Sequence, residues 1–367
     1  MVLFAYFVPA FLLLCGFRSS KLRGITIAYM LYFWIISGFT GSAATPDYEG
    51  YVSYYENVLF EVVYNAVDPE WGYIGLNFLF GSLGFSYQEF RIFFNALYAI
   101  ILVSAAIRLT PYRNYTLALF LVWPFLAFVS GQRQAMASAI ICWGIPFLLN
   151  DSKKGSLKYI LCVLVAASIH NSTLFYLILL FARKPLTKKQ FIRLLLAVTM
   201  LTLFMYFSTS LGAVAALFAN PKVTMWFDRS AGTNTLNYKG FTVLLFVTIA
   251  IVYITIKQAD ILLSKLSDKD TFLAKRIVLY KNVAIFMLLV IPGFAVAAIF
   301  QRLIVGVLLV NYAVFAEFNY CNLISRNERK SYRLKSFIAV LLLALSYIIG
   351  NQGHNVFAAL TDNFFFN

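Results

Sequence analysis

Five ionisable residues stand where a charge is expensive or where it can meet a substrate: Asp47, Glu70, Arg133, His170 and Arg302. Arg133 lies in Ser130-Gly131-Gln132-Arg133-Gln134, between two apolar runs, and His170 lies in Ile169-His170-Asn171-Ser172. Arg302 is the only charge between Asn282 and Ala316. A charge at the centre of a membrane helix costs about 2.5–3.5 kcal/mol, so such residues mark places where something is bound or transformed. Guanidinium groups match phosphate oxygens through paired hydrogen bonds and stay charged at any relevant pH, so two of them at membrane depth suit a lipid-linked diphosphate. A histidine suits removal of a proton from a sugar hydroxyl. Asp47 and Glu70 could share that role or hold sugar hydroxyls. Tyr48, Tyr51, Tyr54, Tyr55, Tyr64, Trp71 and Tyr73 offer faces on which sugar rings stack.

Plainer roles compete with each of these. Arg133 is also placed to anchor a helix end by snorkelling. His170 is placed to satisfy backbone groups at a turn, and Asp47 and Glu70 to cap helices. The tyrosines also fit an interfacial aromatic belt. Glu317 is expected to pair with loop cations, and Pro292-Gly293 to kink its helix.

The elements that must position these groups follow from composition. Of 367 residues, 61% are hydrophobic and 12% are charged, against about 25% charged in a soluble domain. With a mean hydropathy of +0.79, so few charges cannot coat a water-soluble globule, which argues against a cytosolic enzyme or a secreted domain. The chain reads as one all-α polytopic membrane bundle over residues 1–367, with about 10–12 membrane segments. Two histidines and four cysteines without CxxC spacing argue against a metal centre or a disulfide framework. No metal and no cofactor are expected.

The net charge of +15 describes orientation rather than nucleic-acid binding. Of the 30 Lys and Arg, 24 fall in loops that alternation places on one side, including a loop at about 257–281. The positive-inside rule makes that side cytoplasmic. This requires residues 159–182 to go out and back. Two apolar pieces of about 10 residues are too short to span, and suit a re-entrant hairpin or steeply broken helices with His170-Asn171-Ser172 at the tip. Ile25 to Phe90 contains no Lys or Arg, so the acidic, tyrosine-rich stretch at about 42–89 is read as an outer loop. Within it, Gly72 to Phe85 is expected to form a short interfacial helix. All five ionisable residues then fall near the outer face.

The motifs, in order, resemble the EpsG/Wzy-type polymerases of bacterial surface polysaccharides such as exopolysaccharide, capsule and O-antigen. The similarity runs over roughly 30–320. Asp47-Tyr48-Glu49-Gly50-Tyr51 resembles an acidic Asp-x-x-x-Tyr element of that family. Glu70-Trp71-Gly72-Tyr73 resembles Glu-Pro-Gly-Tyr, with Trp71 where proline is commoner. Arg133-Gln134-Ala135-Met136-Ala137 resembles Arg-Gln-x-x-Ala, and His170-Asn171-Ser172 resembles His-x-Ser. Arg302 stands where the family tends to carry a late membrane arginine.

The resemblance implies a GT-C-like, inverting, metal-independent glycosyltransferase of the cytoplasmic membrane with its site facing outward. It would join repeat units carried on undecaprenyl diphosphate. His170, Asp47 and Glu70 would supply base and acceptor functions. Arg133 and Arg302 would take the diphosphate, with Gln134, Tyr48, Tyr51, Tyr73 and Ser172 binding substrate. Its partners would be the lipid-linked donor and acceptor and membrane lipids, with a chain-length regulator left open and nucleic acid excluded. A ligase-type glycan transferase and a flippase or transporter of lipid-linked sugars are the alternatives. A transporter is disfavoured by the absence of an internal repeat and by membrane charges confined to one face.

Overall fold

The computed structural model describes residues 2–42, 47–57, 70–150, 152–207, 238–266, 271–294, 300–348 and 363. Glu61, Tyr64, Asp68, Lys222, Arg229 and His354 lie outside the described residues. Described residues are helical, with no strands beyond one isolated bridge between Thr40 and Asn363. In chain order the α-helices are α1 Val2–Arg18, α2 Arg23–Gly38, α3 Tyr48–Glu56, α4 Trp71–Ser82, α5 Tyr87–Leu109, α6 Arg113–Val122, α7 Phe125–Ser130 and α8 Gln132–Gly144. They continue with α9 Lys153–Ile169, α10 Lys188–Phe207, α11 Tyr238–Lys265, α12 Thr271–Phe286, α13 Ile291–Phe294, α14 Gln301–Val305, α15 Leu308–Tyr320 and α16 Arg326–Tyr347. Among the described residues, four helical stretches are long and apolar enough to cross a membrane: Tyr87–Leu109, Leu245–Lys265, Phe272–Gly293 and Gln301–Tyr320.

Local chemistry sets the boundaries. Ser86 and Glu89 form a capping box that starts α5, and Ser325 and Glu328 form one that starts α16, each satisfying backbone N–H groups a helix leaves open. Pro124 forces Trp123 into extended backbone and separates α6 from α7, a break inside what the apolar pattern suggests is one segment. The apolar α15 is buried on every side, from Leu308 to Asn319, as an all-round hydrophobic helix should be. Against it pack α6, α11 and α12. Large apolar side chains point outward elsewhere, among them Met200, Phe204 and Phe246, which suits a protein whose solvent is lipid.

Residues 153–183 do double back. Tyr159 Oη donates to Tyr176 O at 2.9 Å, and Arg183 Nη2 donates to Asn150 O at 2.7 Å, so the limbs run antiparallel and the chain reverses at His170. The limbs are longer than the apolar pieces suggest. The second, Asn171–Arg183, is a 3₁₀ helix of 13 residues against 17 in α9. At about 2.0 Å per residue against about 1.5 Å, the two limbs match at roughly 25 Å each.

The expected loop at about 257–281 is mostly helix. Helix α11 runs on to Lys265 and α12 starts at Thr271. Lys281 Nζ meets Asp260 Oδ1 at 2.6 Å across the pair. Charges on one exposed face let a helix continue beyond its apolar stretch, which hydropathy reads as a loop. The acidic stretch at about 42–89 likewise contains α3 and α4, with α4 close to the expected Gly72–Phe85.

The basic loops gather at one end of the bundle. Arg113 Nη2 donates to Lys21 O at 2.6 Å, and Lys21 lies over the Tyr112 ring. Arg108 and Lys158 meet the Phe147 ring. Arg276 pairs with Glu317, whose carboxylate accepts from Thr110 Oγ1 at 2.8 Å. Arg333 Nε donates to Asn319 Oδ1 at 3.4 Å. The first turns of α4 and α8 and the reversal at His170 lie at the other end.

Candidate active site

Glu70 occupies the N-cap position of α4, and its carbonyl accepts from Tyr73 N and Ile74 N at 3.0 and 3.1 Å. Its carboxylate does not cap the helix. It reaches across to two other elements. Oε2 accepts from Arg133 Nη1, and Oε1 accepts from His170 Nδ1 at 2.9 Å and from Asn171 N at 3.2 Å. This geometry requires the first turn of α4 to sit on the last turn of α9. A Cβ on Gly72 would lie 2.2 Å from Ser168 Oγ, so only glycine fits that contact.

His170 ends α9 in extended backbone, and its own backbone groups are satisfied without the ring. Its N–H donates to Ala166 O at 2.8 Å, and its carbonyl accepts from Thr173 N and Thr173 Oγ1. The imidazole is therefore free for Glu70. With Nδ1–H donating to the carboxylate, Nε2 keeps an unshared pair and can accept a proton. Burial pushes the Glu70 carboxyl up, but the hydrogen bond to His170 and the Arg133 charge outweigh it and hold it below its ordinary value.

Three consecutive side chains at the start of α8 act in three directions. Gln132 points inward, where Nε2 donates to Tyr73 Oη and Tyr87 Oη at 3.0 and 2.9 Å. Arg133 turns toward Glu70, with its guanidinium 5.2 Å from the Tyr51 ring centroid and 5.3 Å from that of Tyr73. Gln134 Nε2 donates to the backbone carbonyl of Arg302 at 3.0 Å. Side-chain exposures of 28% for Arg133 and 22% for His170 leave both reachable.

The chain matches the family model described as the EpsG family over residues 25–359. It belongs to the EpsG family. No curated protein and no solved structure matches the chain. EpsG membership, together with the long apolar helices, points to membrane-bound polysaccharide synthesis.

In this EpsG-family chain, Glu70, Arg133, His170, Tyr51 and Tyr73 form one contact network. Tyr73 lies buried behind the arginine, where it supports the guanidinium. Tyr48 stands one step away, with Tyr48 Oη donating to Gln88 Oε1 at 3.1 Å and its ring 5.4 Å from that of Tyr87. Ser172 is exposed beside the reversal. Arg302 joins through its backbone; its side chain is exposed and, with Asp47, lies within electrostatic reach of Tyr347. Asp47 precedes α3 without a side-chain capping bond.

Two residues were not singled out from the sequence as site residues. Gln132 holds the α8 start against α4 and α5. Arg91, 1% exposed, donates from Nε to Ser37 O at 3.3 Å and lies 5.3 Å from the Tyr48 ring centroid. The available signal was that Arg91 is the first cation after the cation-free stretch from Ile25 to Phe90.

Proposed function

We propose that this chain joins undecaprenyl-diphosphate-linked oligosaccharide repeat units into surface polysaccharide at the outer face of the cytoplasmic membrane. It acts as an inverting, metal-independent glycosyltransferase within a GT-C-like bundle of about 10–12 membrane segments. The observation that carries the reading is the single carboxylate of Glu70 shared by Arg133 and His170. Family membership gives it a substrate class. Gathering of the basic loops at the opposite end supports the orientation, because that end is then cytoplasmic.

In the reaction, an acceptor sugar hydroxyl donates its proton to His170 Nε2 as its oxygen bonds to the anomeric carbon of the donor. The bond from that carbon to the lipid diphosphate breaks, and the diphosphate leaves with the electron pair. Arg133 and Arg302 neutralise the growing charge, the kind of electrostatic contribution that is usually largest. Glu70 fixes the imidazole tautomer. When the diphosphate draws Arg133 away, the whole Glu70 charge acts on His170. Asp47, Tyr48, Tyr51 and Ser172 line the acceptor side. The immediate partners are the two lipid-linked glycans and membrane lipid, and a chain-length regulator would act on the product.

Reconstitution with synthetic diphosphate-linked repeat units tests this. A ladder of products is expected, and Arg133→Ala should slow its growth by about 10²–10³-fold while the single lipid-linked unit remains. One transfer to a different acceptor would instead mean a ligase. Movement of the units across the bilayer with no new linkage would mean a transporter.

A further inference from the structure

We propose that the basic end carries a site for the phosphodiester of an anionic glycerophospholipid, formed by Arg108 of α5 and Lys158 of α9 around Trp143 and Phe147. The site is independent of the reaction proposed above and lies at the opposite end of the bundle from Glu70.

Four observations converge. The Arg108 guanidinium lies 4.2 Å from the Trp143 ring centroid and 4.5 Å from that of Phe147, and Lys158 Nζ lies 5.6 Å from the same Phe147 ring. Two cations from different helices thus meet on one aromatic platform. Second, among the described residues neither cation forms an ion pair, and the buried Arg108 Nε has no hydrogen-bond partner. By contrast, Arg276 and Lys281 at this same end are paired with carboxylates. Third, the platform is anchored, because Trp143 Nε1 donates to Ser104 Oγ at 3.1 Å. Ser104 is one turn before Arg108 on α5. Fourth, the same helical stripes continue as exposed apolar surface, through Leu97 and Ile100 on α5 and Leu161 and Val165 on α9.

The chemistry of the occupant follows. Two cations without carboxylate partners call for a negative group, and the terminal N–H groups of a guanidinium suit phosphate oxygens. An indole and a phenyl ring at that depth suit the boundary between headgroup and acyl chain. The apolar stripes leading away suit acyl chains. A basic pocket between helices on the cation-rich side is how membrane proteins take acidic headgroups.

The test is thermal unfolding of the full chain in phosphatidylcholine–detergent micelles, with phosphatidylglycerol, phosphatidylcholine or inorganic phosphate added. Phosphatidylglycerol should raise the wild-type midpoint, and the other two additions should not. Arg108→Gln/Lys158→Gln should weaken the apparent affinity for phosphatidylglycerol roughly thirtyfold. Lys158→Gln alone changes an exposed side chain, so it keeps the test valid should the double variant not fold; it should weaken binding roughly fivefold. Lys330→Gln, an exposed cation elsewhere on the basic end, should leave binding unchanged. The proposal is overturned by an unchanged affinity in the Lys158 variant, by an equal loss in Lys330→Gln, or by inorganic phosphate acting as strongly as the lipid.

Discussion

Each end of the bundle holds a buried carboxylate paired with an arginine, and the two nodes are built for different ends. Glu317 is 5% exposed; Arg276 and Thr110 hold one of its oxygens, and among the described residues no ring that can accept a proton touches it. That node ties α12 and α15 to the end of α5. Glu70 is almost as buried, at 7%, but divides its two oxygens between an arginine and a histidine that both reach the surface. A closed node can only hold helices together. An open one, with a proton acceptor and a cation within reach of the surface, can also act on a bound molecule. Burial alone therefore does not separate structural from chemical charge; the accessibility and chemistry of the partners do.

The largest expected effect tests whether the open node works as a unit. His170→Ala should slow glycosyl transfer by about 10²–10⁴-fold, as loss of a general base does. Glu70→Gln should fall in the same range, because the ring then loses the carboxylate that fixes its tautomer. The double variant should be no slower than the worse single, since groups that act together are not additive. Initial rates of ladder growth measure all three. Multiplied losses would mean that Glu70 and His170 act separately and would break the contrast at its chemical end.

The nodes also differ in how far the sequence reveals them. Asp47, Glu70, Arg133, His170 and Arg302 stand out because charge is rare in this chain, and the hairpin at His170 follows from loop charges alone. The pairing of Glu70 with His170 spans 100 residues of chain, and no periodicity encodes it. Asp47 and Glu70 look alike in sequence, each at a helix start. Only the structure separates the exposed Asp47 from the shared carboxylate of Glu70. Arg91 stands out only as the first cation after a cation-free stretch, which says nothing of burial, yet one turn into α5 it is fully covered. The length of the second hairpin limb was hidden because composition does not report rise per residue, and a 3₁₀ limb covers more distance than a helical count allows.

The closed node should show the reverse profile, with loss of stability and intact chemistry. Glu317→Ala leaves Arg276 largely buried without its carboxylate, which costs about 3–5 kcal/mol when a buried pair is broken on one side. Denaturant unfolding in detergent measures that loss. Product ladders normalised to folded protein should keep their wild-type length distribution. A shortened ladder from fully folded Glu317→Ala would mean that the basic end takes part in transfer, and the division between the nodes would fail.

The smallest effect is a dependence of stability on pH. The folded Glu70 carboxyl lies below its ordinary value because His170 and Arg133 favour the ionised form against the opposing effect of burial. A depressed carboxyl stabilises the fold above its unfolded value, about 4.3, and that contribution fades as pH falls through the lower folded value. Wild-type unfolding midpoints should therefore drop between about pH 5 and pH 3 by more than those of Glu70→Gln, which has no proton to take up there. Equal acid sensitivity in both proteins would show that the carboxylate gains nothing from its two partners. The open node would then owe its geometry to the contact between Gly72 and Ser168 and to the backbone at His170, rather than to the charge at its centre.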